Sequence, residues 1–565
     1  MPNVRSPNVD PTVLPDNERQ SARPSVLWLV VFFGLWMLPG LVGRDPWKAD
    51  EGYSFGLVLH MLETGDWVIP HLAGEPFMQK PPLLFALSAL SADWLSGLLP
   101  LHDGARGSVL FFNTLTFLAL GLAARELWGP GRGWLAPVLF LGAPGLLHNQ
   151  HMMLTDVALL TGFAVGHYGL VLCRRRPWLG GAIAGTGMGI AFMAKGLLGP
   201  GLMGLTALAL PVCFKSWRTR NYFFSLLAMG VAALPWVTIW PALVYARSPE
   251  LFREWLIENN FGRFTGTTKL VSSKPNYLFY FKTLPWFALP SVALAGWYWW
   301  VHRREWRVSD ALQITLASFV VMFVIFSVSR QARTLYAQPM VVPLALAGVL
   351  AVDWLAGRRA RFLNGFCRVT FGVLLGMAWG AWLLLLARWP TALWEQVHSL
   401  VPDYAPAFQW WLFLPAVLAS GWYLWRLGNT DLLDGRAAMV NWAAGLGLMY
   451  LLGMTLFLPL ANTNMGYRGV FIPLREHLPN PPEPVASIGL AESERGLLHY
   501  LAGLKTRRVE VAPAALDECD WVFIQGNFKR QRNTGPPPRG HWTLVFEGRR
   551  AGDESYRLYR RAESP

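Results

Sequence analysis

Residues Ala311 to Val328 carry no charge and read Ala-Leu-Gln-Ile-Thr-Leu-Ala-Ser-Phe-Val-Val-Met-Phe-Val-Ile-Phe-Ser-Val. A helix of this length rises about 27 Å, close to the ~30 Å of hydrocarbon in a bilayer. Similar apolar runs recur as far as residue 460, and they predict spans near 26–43, 107–124, 134–148, 157–172, 178–193, 197–214, 222–245, 284–301, 311–328, 335–356, 366–387, 408–425 and 438–460. The sequence therefore predicts a polytopic α-helical membrane protein with about 13 transmembrane helices.

The composition of the whole chain points the same way. Of 565 residues, 53% are hydrophobic and only 15% are charged. Soluble domains average about 25% charged residues, so this chain has too few polar side chains to cover its surface in water. The four cysteines, at 173, 213, 367 and 519, show no metal-ligand spacing and exclude a disulfide framework.

The basic residues fix the expected orientation in the membrane. The net charge of +14 is spread over short clusters between the apolar runs, and this excludes a nucleic-acid partner. All six clusters fall on one side of the predicted topology: Arg125 with Arg132, Arg174 to Arg176, Lys215 with Arg218 and Arg220, Arg303 and Arg304 with Arg307, Arg358 and Arg359 with Arg361, and Arg426 with Arg436. The positive-inside rule makes that side cytoplasmic, together with a disordered tail at 1–25, and leaves the C-terminus outside.

One apolar run does not fit this alternation. Residues 81–99 begin with two prolines and carry Asp93. Counting this run as a span would invert either the N-terminus or the basic-loop pattern. We therefore expect an embedded or interfacial helix that does not cross.

The composition changes after Pro459. The expected domains are a transmembrane part at 26–460, with outer loops at 44–106 and 246–283, and an extracytoplasmic α/β domain at 461–565. Within that last domain we predict a strand at 485–489, a helix at 492–501, a strand at 521–525 and a hairpin at 542–559.

Unusual polar residues collect in the first outer loop. A helix is predicted from Asp50 to Gly65, which places Asp50 at or near the N-cap, where the helix dipole favours a carboxylate. Asp50 could be only a cap, and Lys80 could be only a snorkelling lysine. Lys80 stands on the side where the positive-inside rule disfavours it, and this favours a lysine that binds an anion.

The order of motifs carries a family resemblance. Asp50-Glu51 is followed by Gly65-Asp66-Trp67 and then by Lys80-Pro81-Pro82. This order resembles glycosyltransferase family 39, the polyprenyl-phosphate-sugar-dependent membrane enzymes of the protein O-mannosyltransferase and aminoarabinose transferase kind, which have the GT-C fold. Further landmarks follow in the family's order: Thr155-Asp156, Ala194-Lys195-Gly196, Glu258 to Phe264, Leu284-Pro285-Trp286, Ser329-Arg330, Tyr336 and Pro339.

The resemblance implies an inverting glycosyltransferase of the bacterial inner membrane. Such an enzyme takes a hexose or pentose from a polyprenyl-phosphate carrier at the periplasmic face and gives it to a lipid, glycan or protein acceptor. By resemblance Asp50 is the base and Asp156 supports it, while Glu51, the third catalytic candidate, is better suited to a structural role.

A carrier phosphate also needs cations at headgroup depth beside an apolar groove. The candidates for phosphate binding are Lys80, Arg263, Arg330, Arg333 and Tyr336, with Lys195 and Gln79 in support.

Two positions depart from the family pattern. Gln79 stands where many relatives carry Glu, and Ala332, with Arg333 beside it, stands where they often carry Lys. Both changes suggest a different sugar or acceptor. His148, His151 and Asp156 raise the possibility of a divalent metal, but histidine pairs at helix ends are usually solvated, so we expect no resident metal or cofactor.

Two other functions remain open at this point. A transporter or flippase would place ionisable residues near the middle of the bilayer and show repeat symmetry, whereas the polar residues here crowd one face. An inactive relative that serves surface-polysaccharide assembly would fit the changes at Gln79 and Ala332.

Overall fold

The computed structural model describes residues 24–262, 276–329, 332–479, 483–527, 537, 540–550 and 554–562. The helices of the membrane part are α1 (Val26–Met37), α2 (Asp50–Thr64), α3 (Leu83–Trp94), α4 (Leu101–Ala105), α5 (Gly107–Trp128), α6 (Leu135–Leu141), α7 (Pro144–Leu147), α8 (Thr155–Leu172), α9 (Pro177–Lys195), α10 (Leu198–Cys213), α11 (Arg220–Arg247), α12 (Pro249–Arg253), a π-helix (Glu254–Gly262), α13 (Phe279–Phe287), α14 (Ser291–Val301), α15 (Asp310–Val328), α16 (Gln338–Val352), α17 (Arg358–Ala387), α18 (Thr391–Leu400), α19 (Trp410–Gly428), α20 (Gly435–Gly453) and α21 (Leu458–Met465).

Each predicted apolar run coincides with one or two of these helices. Six helical segments of the described chain are long and apolar enough to cross a membrane, or seven if the bent pair α20 and α21 forms one span. The other runs fold into shorter or less apolar helices, and some are interrupted, as where α13 ends and α14 begins near Pro290. The chain is an integral membrane protein, while the figure of about 13 spans remains a prediction.

The helix from the ambiguous run at 81–99 is short. Helix α3 has 12 residues, a length of about 18 Å, and this is well below the ~30 Å of hydrocarbon. It follows a two-stranded hairpin of β1 (His71–Leu72) and β2 (Glu75–Pro76) and packs against α2. These dimensions support a helix that does not cross by itself.

Helix α2 has the predicted boundaries. Asp50 is its first residue, after the N-cap Ala49, and Gly65 ends it with a left-handed φ of 68°. The predicted apolar residues Tyr53, Leu57 and Met61 are buried, but so is every other residue from 51 to 61, so the helix is enclosed on all sides and not on one stripe alone. The carboxylate of Asp50 thus lies in the first turn, although no side chain caps this helix.

Helices α8 and α9 pack with their backbones in close contact. A Cβ added to Gly162 of α8 would lie 2.6 Å from the backbone nitrogen of Ala191 in α9, and one added to Gly169 would lie 2.2 Å from that of Ala184. Such small residues allow helix backbones to approach closely in a membrane. The pairing holds the start of α8 against the end of α9.

The C-terminal domain is a five-stranded mixed sheet with helices. After α22 (Arg468–Arg475) come β3 (Val485–Ile488), α23 (Glu492–Ala502), β4 (Arg507–Arg508), α24 (Ala515–Glu518), β5 (Trp521–Asn527), β6 (Trp542–Arg550) and β7 (Glu554–Arg561). The strand order is β4-β3-β5-β7-β6, with β3 parallel to both its neighbours and β7 antiparallel to both of its own. The strands, the helix and the hairpin predicted from the sequence are confirmed.

This domain rests directly on α2. A Cβ added to Gly56 would lie 2.7 Å from the Cα of Gly496, so α2 and α23 touch through glycines. The hydroxyl of Ser493 donates to the carbonyl oxygen of Ala49, immediately before Asp50. The first turn of α2 is therefore held by the C-terminal domain.

Candidate active site

A cavity of about 340 Å³ lies where several helix ends converge. Asp50 begins α2, Asp156 lies in the first turn of α8 and Lys195 ends α9. Among the residues predicted for the site, those that line the cavity are Asp50, Gln79, Lys80, Asp156, Lys195, Arg333 and Tyr336. The structure thus brings together seven residues spread over nearly 300 positions of the sequence.

Asp50 is available to accept a proton. Its side chain is half-buried and borders the cavity. Within the described parts of the chain, no side chain or backbone amide donates a hydrogen bond to its carboxylate.

Lys80 offers a positive charge to the cavity. Its ammonium donates a hydrogen bond to the hydroxyl of Tyr53 and lies 5.0 Å from the centre of that ring. Burial, together with the carboxylates of Asp50 and Glu492, holds the pKa of Tyr53 well above its ordinary value, so Tyr53 stays neutral. Since no described carboxylate pairs with Lys80, its charge can act on a bound anion.

Lys195 is committed to a carboxylate. Its Nζ lies 2.6 Å from Oδ1 of Asp156, which is only 3% exposed, and 4.7 Å from the ring centre of Tyr336. The pair carries no net charge. This arrangement supports a positioning role for Asp156 and Lys195.

Arg333 provides a second uncommitted cation. It precedes the 3₁₀ turn Thr334–Ala337, and its carbonyl oxygen accepts a hydrogen bond of 3.2 Å from the hydroxyl of Tyr280. The guanidinium is exposed and pairs with no carboxylate in the described chain. Planar guanidinium groups bind phosphate through two parallel hydrogen bonds.

Most of the remaining lining of the cavity is apolar. Its apolar residues include Leu197, Leu198, Leu202, Leu205, Ile325, Phe326 and Leu335. Cations and aliphatic side chains in one cavity match a ligand that joins a phosphate to a hydrocarbon chain.

Asn260 shapes the bottom of the cavity. Its Oδ1 accepts a hydrogen bond of 3.1 Å from the backbone nitrogen of Leu197, and its Nδ2 donates to the carbonyl oxygen of Trp255 over 2.8 Å. The intervening Gly196 has φ 67°, and a Cβ there would lie 2.2 Å from the Asn260 oxygen. This explains why a glycine follows Lys195.

Glu51 faces away from the cavity and is 1% exposed. Its two carboxylate oxygens accept hydrogen bonds of 2.7 and 2.8 Å from Arg44 and one of 2.9 Å from Arg106. Burial by itself would raise the pKa of Glu51, but the two guanidinium groups outweigh it and lower the pKa to about 2. These contacts support the structural alternative for Glu51, not a catalytic role.

Arg263 and Arg330 lie outside the described residues, and their phosphate contacts remain predictions.

The residues considered for a metal do not converge. Both ring nitrogens of His151 lie close to backbone carbonyl oxygens, at 2.5 Å from that of Leu147 and 2.7 Å from that of Trp36, and Asp156 pairs with Lys195. In the described ranges, no group of three or more His, Cys, Asp or Glu side chains is arranged to hold a metal ion.

Sequence reasoning missed Glu492. The Nε2 of Gln79 donates a hydrogen bond of 2.5 Å to Oε1 of Glu492, the first residue of α23. A carboxylate of the C-terminal domain therefore stands beside Gln79, one of the two positions that depart from the family pattern expected from the sequence. No local pattern could reveal this contact, because it depends on how the domain docks on α2.

Several curated proteins that share one name resemble this chain in sequence. An undecaprenyl phosphate-α-4-amino-4-deoxy-L-arabinose arabinosyl transferase of Edwardsiella ictaluri is 28% identical over 385 residues, 64% of this chain and 65% of its own length. One from Serratia proteamaculans is 26% identical and covers 74% of each chain. The first of these alignments thus spans less than two thirds of the relative. No family model matches the chain.

The crystal structure of ArnT from Cupriavidus metallidurans bound to undecaprenyl phosphate superposes with a TM-score of 0.70, at 17% identity, over 94% of this chain and 97% of that one. The chain has the GT-C fold. The resemblance predicted from the motifs is therefore confirmed, and it extends through the C-terminal domain of the fold.

Proposed function

We propose that the chain is an inverting glycosyltransferase that moves a sugar from a polyprenyl-phosphate carrier to an acceptor at the periplasmic face of the bacterial inner membrane. One observation carries the proposal: a single cavity combines one carboxylate and two cations that have no ionic partner among the described residues with a largely apolar remaining lining. The named relatives, which act on an undecaprenyl-phosphate-linked sugar, support it.

The proposed chemistry needs few groups. Asp50 takes the proton of an acceptor hydroxyl while the oxygen of that hydroxyl forms a bond to the anomeric carbon of the sugar. The bond from that carbon to the phosphate oxygen breaks, and polyprenyl phosphate leaves with the electron pair. Lys80 and Arg333 hold the phosphate and its developing charge, with the predicted Arg263 and Arg330 in addition.

The proposal names the sugar and the acceptor only by chemical class. The relatives named above act with 4-amino-4-deoxy-L-arabinose. The changes at Gln79 and Ala332 favour a different sugar or acceptor for this chain, and the acceptor is a lipid, a glycan or a protein. The proposed orientation keeps the N-terminus cytoplasmic and the C-terminal domain periplasmic.

The geometry does not favour the transporter or flippase alternative. The ionisable residues of the cavity lie at the ends of α8 and α9 and at the start of α2, not within the spans. An inactive relative would have no need of a carboxylate at Asp50 that faces such a cavity without a partner among the described residues.

The test compares a deletion strain with its parent. Mass spectrometry of total lipids, surface glycans and membrane proteins should show one class of molecule that loses the mass of a single sugar. Complementation with Asp50→Asn should fail although the variant accumulates normally in the membrane, since a general base contributes about 10²- to 10⁴-fold. Complementation by Asp50→Asn at the parental level would disprove the assignment of the base.

A further inference from the structure

A second cavity, of about 280 Å³, lies between the first turn of α2 and the start of α23. Asp50 and Tyr53 line it from α2, and Glu492 and Glu494 line it from α23. Asp50 also lines the first cavity. One carboxylate therefore borders both spaces.

The hydrogen bond between Gln79 and Glu492 joins a residue of the first cavity to one of the second. Gln79 lines the first cavity, whereas Glu492 lines the second. The C-terminal domain therefore places a carboxylate directly beside Gln79.

The cations of the second cavity are already paired with carboxylates. Lys48 lies 2.7 Å from both Glu494 and Glu554. Arg495 and Arg508 lie 2.9 and 3.1 Å from the carboxylate of Glu75, which they share.

Two carboxylates of the second cavity keep free acceptor capacity. In the described chain Glu492 receives a hydrogen bond only from the neutral amide of Gln79, and Asp50 receives none. Most of the lining is charged or hydroxylated, unlike the aliphatic wall of the first cavity. The two carboxylates suit a ligand that brings several hydroxyl donors.

We propose that the second cavity receives the saccharide end of the acceptor, and that Glu492, held by Gln79, determines specificity by accepting hydrogen bonds from its hydroxyl groups. This inference rests on the proposed function. In an inverting displacement the acceptor oxygen must approach the anomeric carbon from the side opposite to the phosphate. An acceptor in the second cavity meets Asp50 there, while the carrier phosphate stays in the first cavity.

The first experiment removes the charge of Glu492 in the full chain, reconstituted in lipid nanodiscs. Two quantities are measured: the affinity for undecaprenyl phosphate, and the KM for the saccharide-bearing lipid fraction of the host membrane with a radiolabelled undecaprenyl-phosphate sugar as donor. Glu492→Gln should raise this KM about ten- to a hundredfold, as expected for charge-assisted hydrogen bonds, and leave the undecaprenyl phosphate affinity unchanged. Glu518→Gln, an exposed carboxylate of the same domain, is the matched control.

The second experiment exchanges the two residues. Gln79→Glu with Glu492→Gln keeps one amide and one carboxylate in contact but moves the charge into the first cavity. A merely structural role predicts full recovery. The proposal predicts that the acceptor KM stays high, because the carboxylate no longer lines the second cavity. Recovery in the exchanged variant, or an unchanged KM in Glu492→Gln, would overturn it.

A third measurement does not depend on transfer. Ala491 is exposed and lines the second cavity, so Ala491→Cys, with Cys213→Ser to remove an exposed native thiol, can be labelled with a methanethiosulfonate reagent. The same saccharide-bearing fraction should slow labelling when Glu492 is present and not when it is Gln. Protection without any sugar transfer would refute the proposed function and keep the binding site, whereas transfer without protection would refute the site alone.

Discussion

The replacement of Lys80 by Met tests the phosphate site most directly. Met keeps most of the length of the side chain and removes only the ammonium, which borders the cavity and pairs with no described carboxylate. A charge-assisted hydrogen bond contributes about 1.5 to 3 kcal/mol, and every 1.4 kcal/mol is tenfold in affinity. Lys80→Met should therefore weaken binding of undecaprenyl phosphate by about tenfold to more than a hundredfold.

Controls separate this effect from general electrostatics. The measurement is a titration of the purified chain in nanodiscs with undecaprenyl phosphate at two salt concentrations. Lys505→Met removes an exposed cation that pairs with Glu63, remote from the cavity, and should leave the affinity unchanged. Tyr53→Phe removes the hydroxyl that holds Lys80 but keeps the charge, and should cost less than Lys80→Met. Wild-type affinity in Lys80→Met would refute the phosphate site.

Three further predictions concern stability, topology and the changed family position. The folded-state pKa of Glu51 lies below the ordinary value of 4.5, so the ionised Glu51 contributes fully to stability above pH 4.5 and loses that contribution as the pH falls toward 2. Glu51→Gln should therefore lower the melting temperature at pH 7. In thermal denaturation at a series of pH values, the melting temperature of the variant should also fall less steeply toward acid pH than that of the wild type. Single cysteines placed at 93–100, where the chain is exposed or half-buried, should react with impermeant reagents from the periplasm, and reaction only from the cytoplasm would make 81–99 a true span. Ala332→Lys should leave transfer unchanged or lower it through crowding with Arg333, and a large gain in the transfer assay would mean that the native site is degenerate.

Much of the site could be predicted because its residues sit at helix boundaries. The limits of α2 follow from the acidic start at Asp50 and the left-handed Gly65, both visible in the sequence. The ordered motifs then indicated which other boundaries belong to the same face, and Lys80, Asp156 and Lys195 do line one cavity.

Other features depend on contacts between distant segments. The pairing of Glu51 with Arg44 and Arg106 joins a helix start to two loops, and no periodicity encodes it. The contact of Gln79 with Glu492 requires the docking of a domain. Hydropathy also finds apolar runs but not the breaks inside them, and this is why the number of complete spans could not be read from composition.

The glycine contact between α2 and α23 couples the evolution of the two domains. Gly56 and Gly496 approach so closely that a methyl group on the first would lie 2.7 Å from the backbone of the second. A substitution on either side would demand a compensating one across the interface, so these segments can diverge only in step. A chimera that joins the membrane part of one relative to the soluble part of another should function only where both glycines face each other. Recombination between relatives is thereby restricted to exchanges that carry both segments.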